Sequence, residues 1–181
     1  LNYAHERNIV HRDIKPSNIM FRAGMEPVIT DFGISKDLSS DSELTQTGTM
    51  IGTPLYMSPE QINAENLDGR SDIYSLGIVL FQMLSNELPY TADDSIALAF
   101  KHLKAPITQL PERLFKYQPI VNKCLAKKSE DRYENMEALA QDLERTLNGE
   151  NIVDSFSDET QVLNTEKVEE FQAETPQRKS V

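Results

Sequence analysis

The chain has 181 residues, room for one domain and a tail, and its 39% hydrophobic and 26% charged content is that of an ordinary soluble protein. With 29 acidic against 18 basic residues the net charge is −11, which argues against a phosphate-backbone ligand, so no nucleic-acid partner is expected. One cysteine, Cys124, excludes an internal disulfide and a cysteine-based zinc site, and fits a reducing compartment.

The opening residues, LNYAHERN, have the character of a helix end rather than a signal peptide. NIVHRD (8–13) and then NIMF and PVITDFG (18–33) supply β-branched runs too short for helices, which predict short strands. They leave HRDIKPSN (11–18) and DFG (31–33) on loops at strand ends. From Ile34 to Ser58 the chain is rich in Ser, Thr, Gly and Asp and predicts a long loop, a kind of segment that is usually functional.

Helices follow. Ser71-Asp72 predicts the N-cap of a helix running through IYSLGIVLFQML (73–84), twelve residues that are too few to span a bilayer and mark a buried core helix. Residues 94–104 predict a short amphipathic helix. Leu114, Tyr117, Val121, Cys124 and Leu125 recur at helical spacing, as do Met136, Leu139, Leu143 and Leu147, which define a last helix stopped by Asn148-Gly149. These stripes are core packing. The body therefore covers 1–148. Residues 149–181 carry eight acidic against three basic residues and no sustained apolar period, so they are expected to form a disordered tail or linker.

Phosphoryl transfer from ATP needs metal ions on the phosphates, a group that orients the acceptor hydroxyl, and positive charge where negative charge gathers. HRDIKPSN and DFG hold residues of those types. Asp13 can accept a hydroxyl proton, and Lys15, two residues on, can project to the same side to neutralise the moving phosphoryl group. Asn18 and Asp31 offer the hard oxygen ligands that Mg²⁺ prefers.

HRDIKPSN, DFG, GTPLYMSPE (52–60), DIYSLGIVL (72–80) and DRY (131–133) resemble, in that order, the C-terminal lobe of the protein kinase family. DFGIS, the TQT before GTP, and SPEQ are most similar to bacterial Ser/Thr kinases of the Hanks type. The resemblance implies a mainly α fold (α+β overall), a kinase-like C-terminal lobe with a few short strands around the catalytic and DFG loops. It also implies transfer of the γ-phosphate of Mg-ATP (or Mn-ATP) to Ser/Thr hydroxyls of protein substrates. Under it, Asp13 is the catalytic base, Lys15 the phosphate-stabilising lysine, and Asn18 and Asp31 bind Mg²⁺. Met20 lies under the adenine ring, and Thr53 hydrogen-bonds Asp13 and Lys15. His11 and Phe32 join an apolar spine, Gly33 completes DFG as a structural residue, and Asp72 holds the catalytic loop by its backbone. Glu60 and Arg132 form an ion pair, expected to be buried. Arg12 reads a phosphate on the loop, where Thr45, Thr47 and Thr49 are the candidate acceptors.

Two features depart from the family. SPE stands at 58–60 where APE is commoner, and only ten residues precede His11, with no GxGxxG anywhere. The N-terminal lobe is therefore expected to be absent from these residues, and the chain alone is expected to bind Mg-ATP weakly and turn over slowly at best. The competing reading is a non-catalytic scaffold, but a scaffold has no physical need for Asp13, Asn18 and Asp31 together. In the tail, SDETQVL (157–163) places Thr160 among acidic residues, like phosphothreonine sites read by forkhead-associated domains. The expected location is cytoplasmic, and bacterial relatives often continue past such a linker to a membrane anchor.

Overall fold

A computed structural model of the chain describes residues 1–32, 53–150 and 152. Gly33, Thr45, Thr47, Thr49, Thr160 and nearly all of the expected tail lie outside the described residues. The elements in chain order are helix α1 (Asn2–His5), strands β1 (Ile19–Phe21) and β2 (Pro27–Ile29), and helices α2 (Pro59–Ile62), α3 (Gly69–Ser85), α4 (Ser95–Lys104), α5 (Gln118–Cys124) and α6 (Met136–Leu147). The mainly α reading holds. The two strands form an antiparallel hairpin with Met20 opposite Val28, and its turn places Met25 at a φ of 64° beside Gly24 at 87°. No strand forms over NIV (8–10), because among the described residues only β1 and β2 pair into a sheet.

Helix α3 is the axis of the molecule. It starts at Gly69, capped by Asp68 Oδ1, which accepts from the Arg70 N–H at 2.8 Å. The expected cap, Ser71-Asp72, instead lies inside the first turn, where both residues are buried and turned to partners far away in sequence. Tyr74, Ile78 and Phe81 join Tyr90, Leu98 and Leu110 in one apolar cluster, while Ile73 joins Ile120, Cys124, Tyr133 and Met136 in a second. Gly77 makes this packing close, since a Cβ there would lie 2.5 Å from Cys124 Cβ on α5.

The 114–125 stripe is one helical path in two geometries. Glu112–Tyr117 is a 3₁₀ segment and α5 continues from Gln118, because Pro119 at the second position of α5 tolerates no ordinary i−4 bond behind it. In α6, capped by Asn135, Met136 and Leu139 are buried as expected, but Leu147 is 67% exposed. The helix ends in a Schellman turn: Gly149, at φ 87°, donates to Thr146 O and Glu150 donates to Arg145 O. That turn returns Ile152 onto the second cluster.

A polar knot sits beside the first cluster. The Lys127 ammonium donates to Tyr90 Oη and to the carbonyl of His102, close to the C-terminal end of α4. His102, 1% exposed, shares a hydrogen bond with Tyr74 Oη through Nδ1, while its Nε2 has no partner among the described residues. Burial first, and the Lys127 charge second, lower its pKa to about 4.

Candidate active site

The loop from His11 to Asn18 is built around backbone hydrogen bonds to one carboxylate. Asp72, 1% exposed on the first turn of α3, accepts the Arg12 N–H through Oδ1 (2.9 Å) and the His11 N–H through Oδ2 (2.8 Å). The same Oδ2 meets His5 Nε2 at 2.7 Å. These bonds hold Arg12 at a φ of 70°, a left-handed conformation that a non-glycine residue adopts only when its surroundings impose it. Asp31 also has a left-handed φ, of 58°. Two motif residues thus carry backbone strain, as functional residues often do.

His11 is a packed histidine, as its motif role requires. Its ring is 4.8 Å from that of Phe32, its Nε2 donates to Thr30 O, and its Nδ1 accepts the Asp13 N–H at 3.3 Å. The network fixes this tautomer. Asn18 then ties the loop to the strand before DFG: its backbone carbonyl accepts the Thr30 N–H at 2.9 Å.

Lys15 and Asn18 converge on Asp13. Lys15 Nζ lies 2.8 Å from Asp13 Oδ2, and Asn18 Nδ2 donates to the same oxygen at 3.1 Å and to Asp13 O at 2.8 Å. The Lys15–Asp13 pair is well exposed, worth at most about 1 kcal/mol, so the ammonium is cheaply redirected. With its amide nitrogen committed to Asp13, Asn18 keeps Oδ1, which accepts weakly from the Ser17 hydroxyl at 3.5 Å, as its acceptor atom. It and the exposed Asp31 carboxylate are hard oxygen donors, the chemistry that Mg²⁺ prefers. Met20 is 56% exposed on β1.

Thr53 stands across a cavity of about 100 Å³ that Asp13, Lys15, Tyr56 and Gln61 also line. The expected bonds from its hydroxyl to Asp13 and Lys15 are not formed among the described residues. The Lys15 ammonium turns to Asp13 instead and leaves Thr53 on the exposed wall.

Glu60 and Arg132 form the buried pair that was expected. Arg132 Nη1 meets Glu60 Oε1 at 2.6 Å and Nη2 meets Oε2 at 2.8 Å, a bidentate arrangement to which Ser71 Oγ adds a third bond at 2.7 Å. Burial alone would raise the Glu60 carboxyl, but the hydrogen bonds and charge of Arg132 outweigh it and hold it below the usual carboxylate range. Arg132 also donates to the carbonyls of Ala126, Arg70 and Lys127, so one guanidinium joins α2, α3 and the segment after α5.

Three contributors escaped sequence reasoning. His5 and Ser71 have no local signature, since their partners lie 67 and 11 residues away. Gln61 had one: Ser58-Pro59-Glu60-Gln61 has the spacing of a capping box, and the structure forms it, with Gln61 N donating to Ser58 Oγ and Ser58 N donating to Gln61 Oε1.

Comparisons with known proteins agree with this geometry. A family model described as the protein kinase domain matches residues 1–143. The serine/threonine-protein kinase PknB of Mycobacterium tuberculosis (strain H37Rv) is 41% identical over 155 residues, 83% of this chain and 25% of that protein. PknB of Mycobacterium leprae is 38% identical over 154 residues, with the same shares. A probable serine/threonine-protein kinase of Clostridium acetobutylicum is 38% identical over 174 residues, 93% of this chain and 26% of that protein. The chain thus spans about a quarter of the length of the curated relatives it matches.

Proposed function

The chain belongs to the protein kinase family, and on that premise we propose that it is the catalytic-loop half of a Ser/Thr kinase that moves the γ-phosphoryl group of ATP to protein hydroxyls. The observation that carries this reading is the convergence of Lys15 and Asn18 on the Asp13 carboxylate, on a loop whose amides Asp72 fixes. The acceptor hydroxyl would hydrogen-bond to Asp13, which takes its proton as the oxygen attacks phosphorus. Lys15 would leave Asp13 for the transferring group and offset its charge. Asn18 Oδ1 and the Asp31 carboxylate would hold Mg²⁺, or Mn²⁺ in its place, and ATP supplies the phosphoryl group that is transferred. Arg12 would read phosphate on Thr45, Thr47 or Thr49.

The 181 residues contain no glycine-rich phosphate loop, so the assay belongs on the complete gene product. Asp13→Asn is expected to lower kcat roughly 10²- to 10⁴-fold while leaving the fold intact. Equal phosphate transfer by the variant and the parent would end the catalytic reading in favour of a scaffold.

The Thr160 segment is proposed as a ligand for a forkhead-associated domain, supported by its acidic surroundings. A peptide spanning 157–163 is expected to bind such a domain only when Thr160 is phosphorylated, and equal binding of both forms would end the proposal. Catalysis is proposed to face the cytoplasm. Among the described residues no helix is long and apolar enough to cross a membrane.

A further inference from the structure

Beside the catalytic loop, Gln61 uses both ends of its amide. Oε1 accepts the Ser58 N–H at 3.0 Å, closing the capping box of α2, and Nε2 donates to Arg12 O at 2.7 Å, 49 residues back in the chain. The second bond has nothing to do with capping. Arg12 O belongs to the same peptide group as the Asp13 N–H, which donates to His11 Nδ1. That peptide plane is therefore gripped on both edges, by Gln61 at its oxygen and by His11 at its hydrogen. Asp72 Oδ1 meanwhile fixes the Arg12 N–H on the other side of the residue.

We infer that Gln61 is a positioning residue: its amide sets the plane of the Arg12–Asp13 peptide, and through it the direction in which the Asp13 carboxylate enters the cavity that both residues line. The inference rests on the phosphoryl-transfer reading of Asp13. The need for glutamine follows from the chemistry of the two partners. Ser58 N–H requires an acceptor and Arg12 C=O requires a donor, at the same time and at the end of the same two-methylene stem. Glutamate supplies only the first, lysine only the second, and asparagine is one methylene short. The bond also links α2 to the catalytic loop directly. Glu60, the preceding residue, fastens α2 to Arg132 and Ser71. Neighbouring side chains of one short helix thus face the late helices and the catalytic loop.

Gln61→Glu separates positioning from capping. The carboxylate keeps the acceptor for Ser58 N–H, and glutamate is an ordinary member of the capping box, but it has no hydrogen to give Arg12 O. In the 181-residue chain, amide hydrogen exchange at Asp13 is expected to rise about ten-fold or more in this variant, while the unfolding midpoint moves little. In the complete gene product, kcat is expected to fall about ten-fold with the KM values for ATP and peptide nearly unchanged, the signature of an interaction that matters to the transition state. Gln61→Met, which removes both bonds, should show the same kinetic loss with a lower unfolding midpoint in addition. Parental exchange at Asp13 and parental kcat in Gln61→Glu would overturn the inference and leave Gln61 a cap. If the parent itself transfers no phosphate while Asp13 exchange still rises in the variant, the phosphoryl-transfer reading is what fails, and the grip on the peptide stands.

Discussion

The Asp72 carboxylate accepts three hydrogen bonds, from the His11 and Arg12 amides and the His5 ring, and it does so in a nearly dry environment. Replacing it with alanine would remove the acceptor of both amides and the support of the left-handed Arg12. A hydrogen bond to a charged group contributes about 1.5–3 kcal/mol, and an unpaired buried donor costs a similar amount, so Asp72→Ala is expected to lose about 3–4 kcal/mol of stability. Urea unfolding measures this, and a loss below 1 kcal/mol would show that the loop holds its own shape. Residue types were legible here without geometry. Asp13, Lys15 and Asn18 could be singled out from residue type and spacing, and the structure brings the three together. His5 and Ser71 could not, because a hydrogen bond across tens of residues leaves no local pattern.

At the scale of elements, α2 has only four residues and could not persist by itself, since a helix so short does not offset the cost of its own nucleation. It is held from outside, through Glu60 and Gln61. Removing one partner of a buried pair leaves an uncompensated charge, so Glu60→Leu and Arg132→Met are each expected to cost about 3–5 kcal/mol. The double variant should recover much of that, because two apolar side chains of matching volume replace the pair without a stranded charge. Denaturant titration of all four proteins gives the coupling. Additive losses would mean that the two charges are solvated independently. Element ends were the least legible feature. Asp68 and Ser71-Asp72 both offer capping side chains, and tertiary demand decided between them by drawing Ser71 to Glu60 and Asp72 to the catalytic loop. Leu147 misled for a related reason: its helical spacing is correct, but α6 outruns the cluster that would cover it.

For the whole molecule, buried ionisable groups set the response to acid. The pKa of His102 falls from an unfolded value near 6.5 to about 4, so the stability of its neutral form is complete above the first value and lost as pH drops towards the second. Glu60, depressed as well, adds a loss at lower pH as its carboxylate takes a proton. Stability is thus expected to decline from about pH 6.5 downward, with a slope near 1.4 kcal/mol per pH unit for the His102 proton. His102→Gln, which still reaches Tyr74 Oη without titrating, should flatten that limb between pH 6 and 4 in urea titrations. An unchanged slope would assign the acid limb elsewhere. Alternating apolar and turn-rich segments made the mainly α lobe legible. The division of its interior into two clusters was not, since one stripe, 114–125, serves both.

Leu1 and Ile152 rest against the same apolar cluster, although 150 residues separate them. Residues 1 and 152 are thereby anchored on one core, so both extremities of the packed body are tied to the same cluster. Two modules joined through tethers to such a common core would meet at an effective concentration set by tether length, whatever their affinity in free solution. An association too weak to detect between separate proteins could be nearly saturated here. Lengthening either tether would weaken it gradually, roughly as the −3/2 power of the tether's total length.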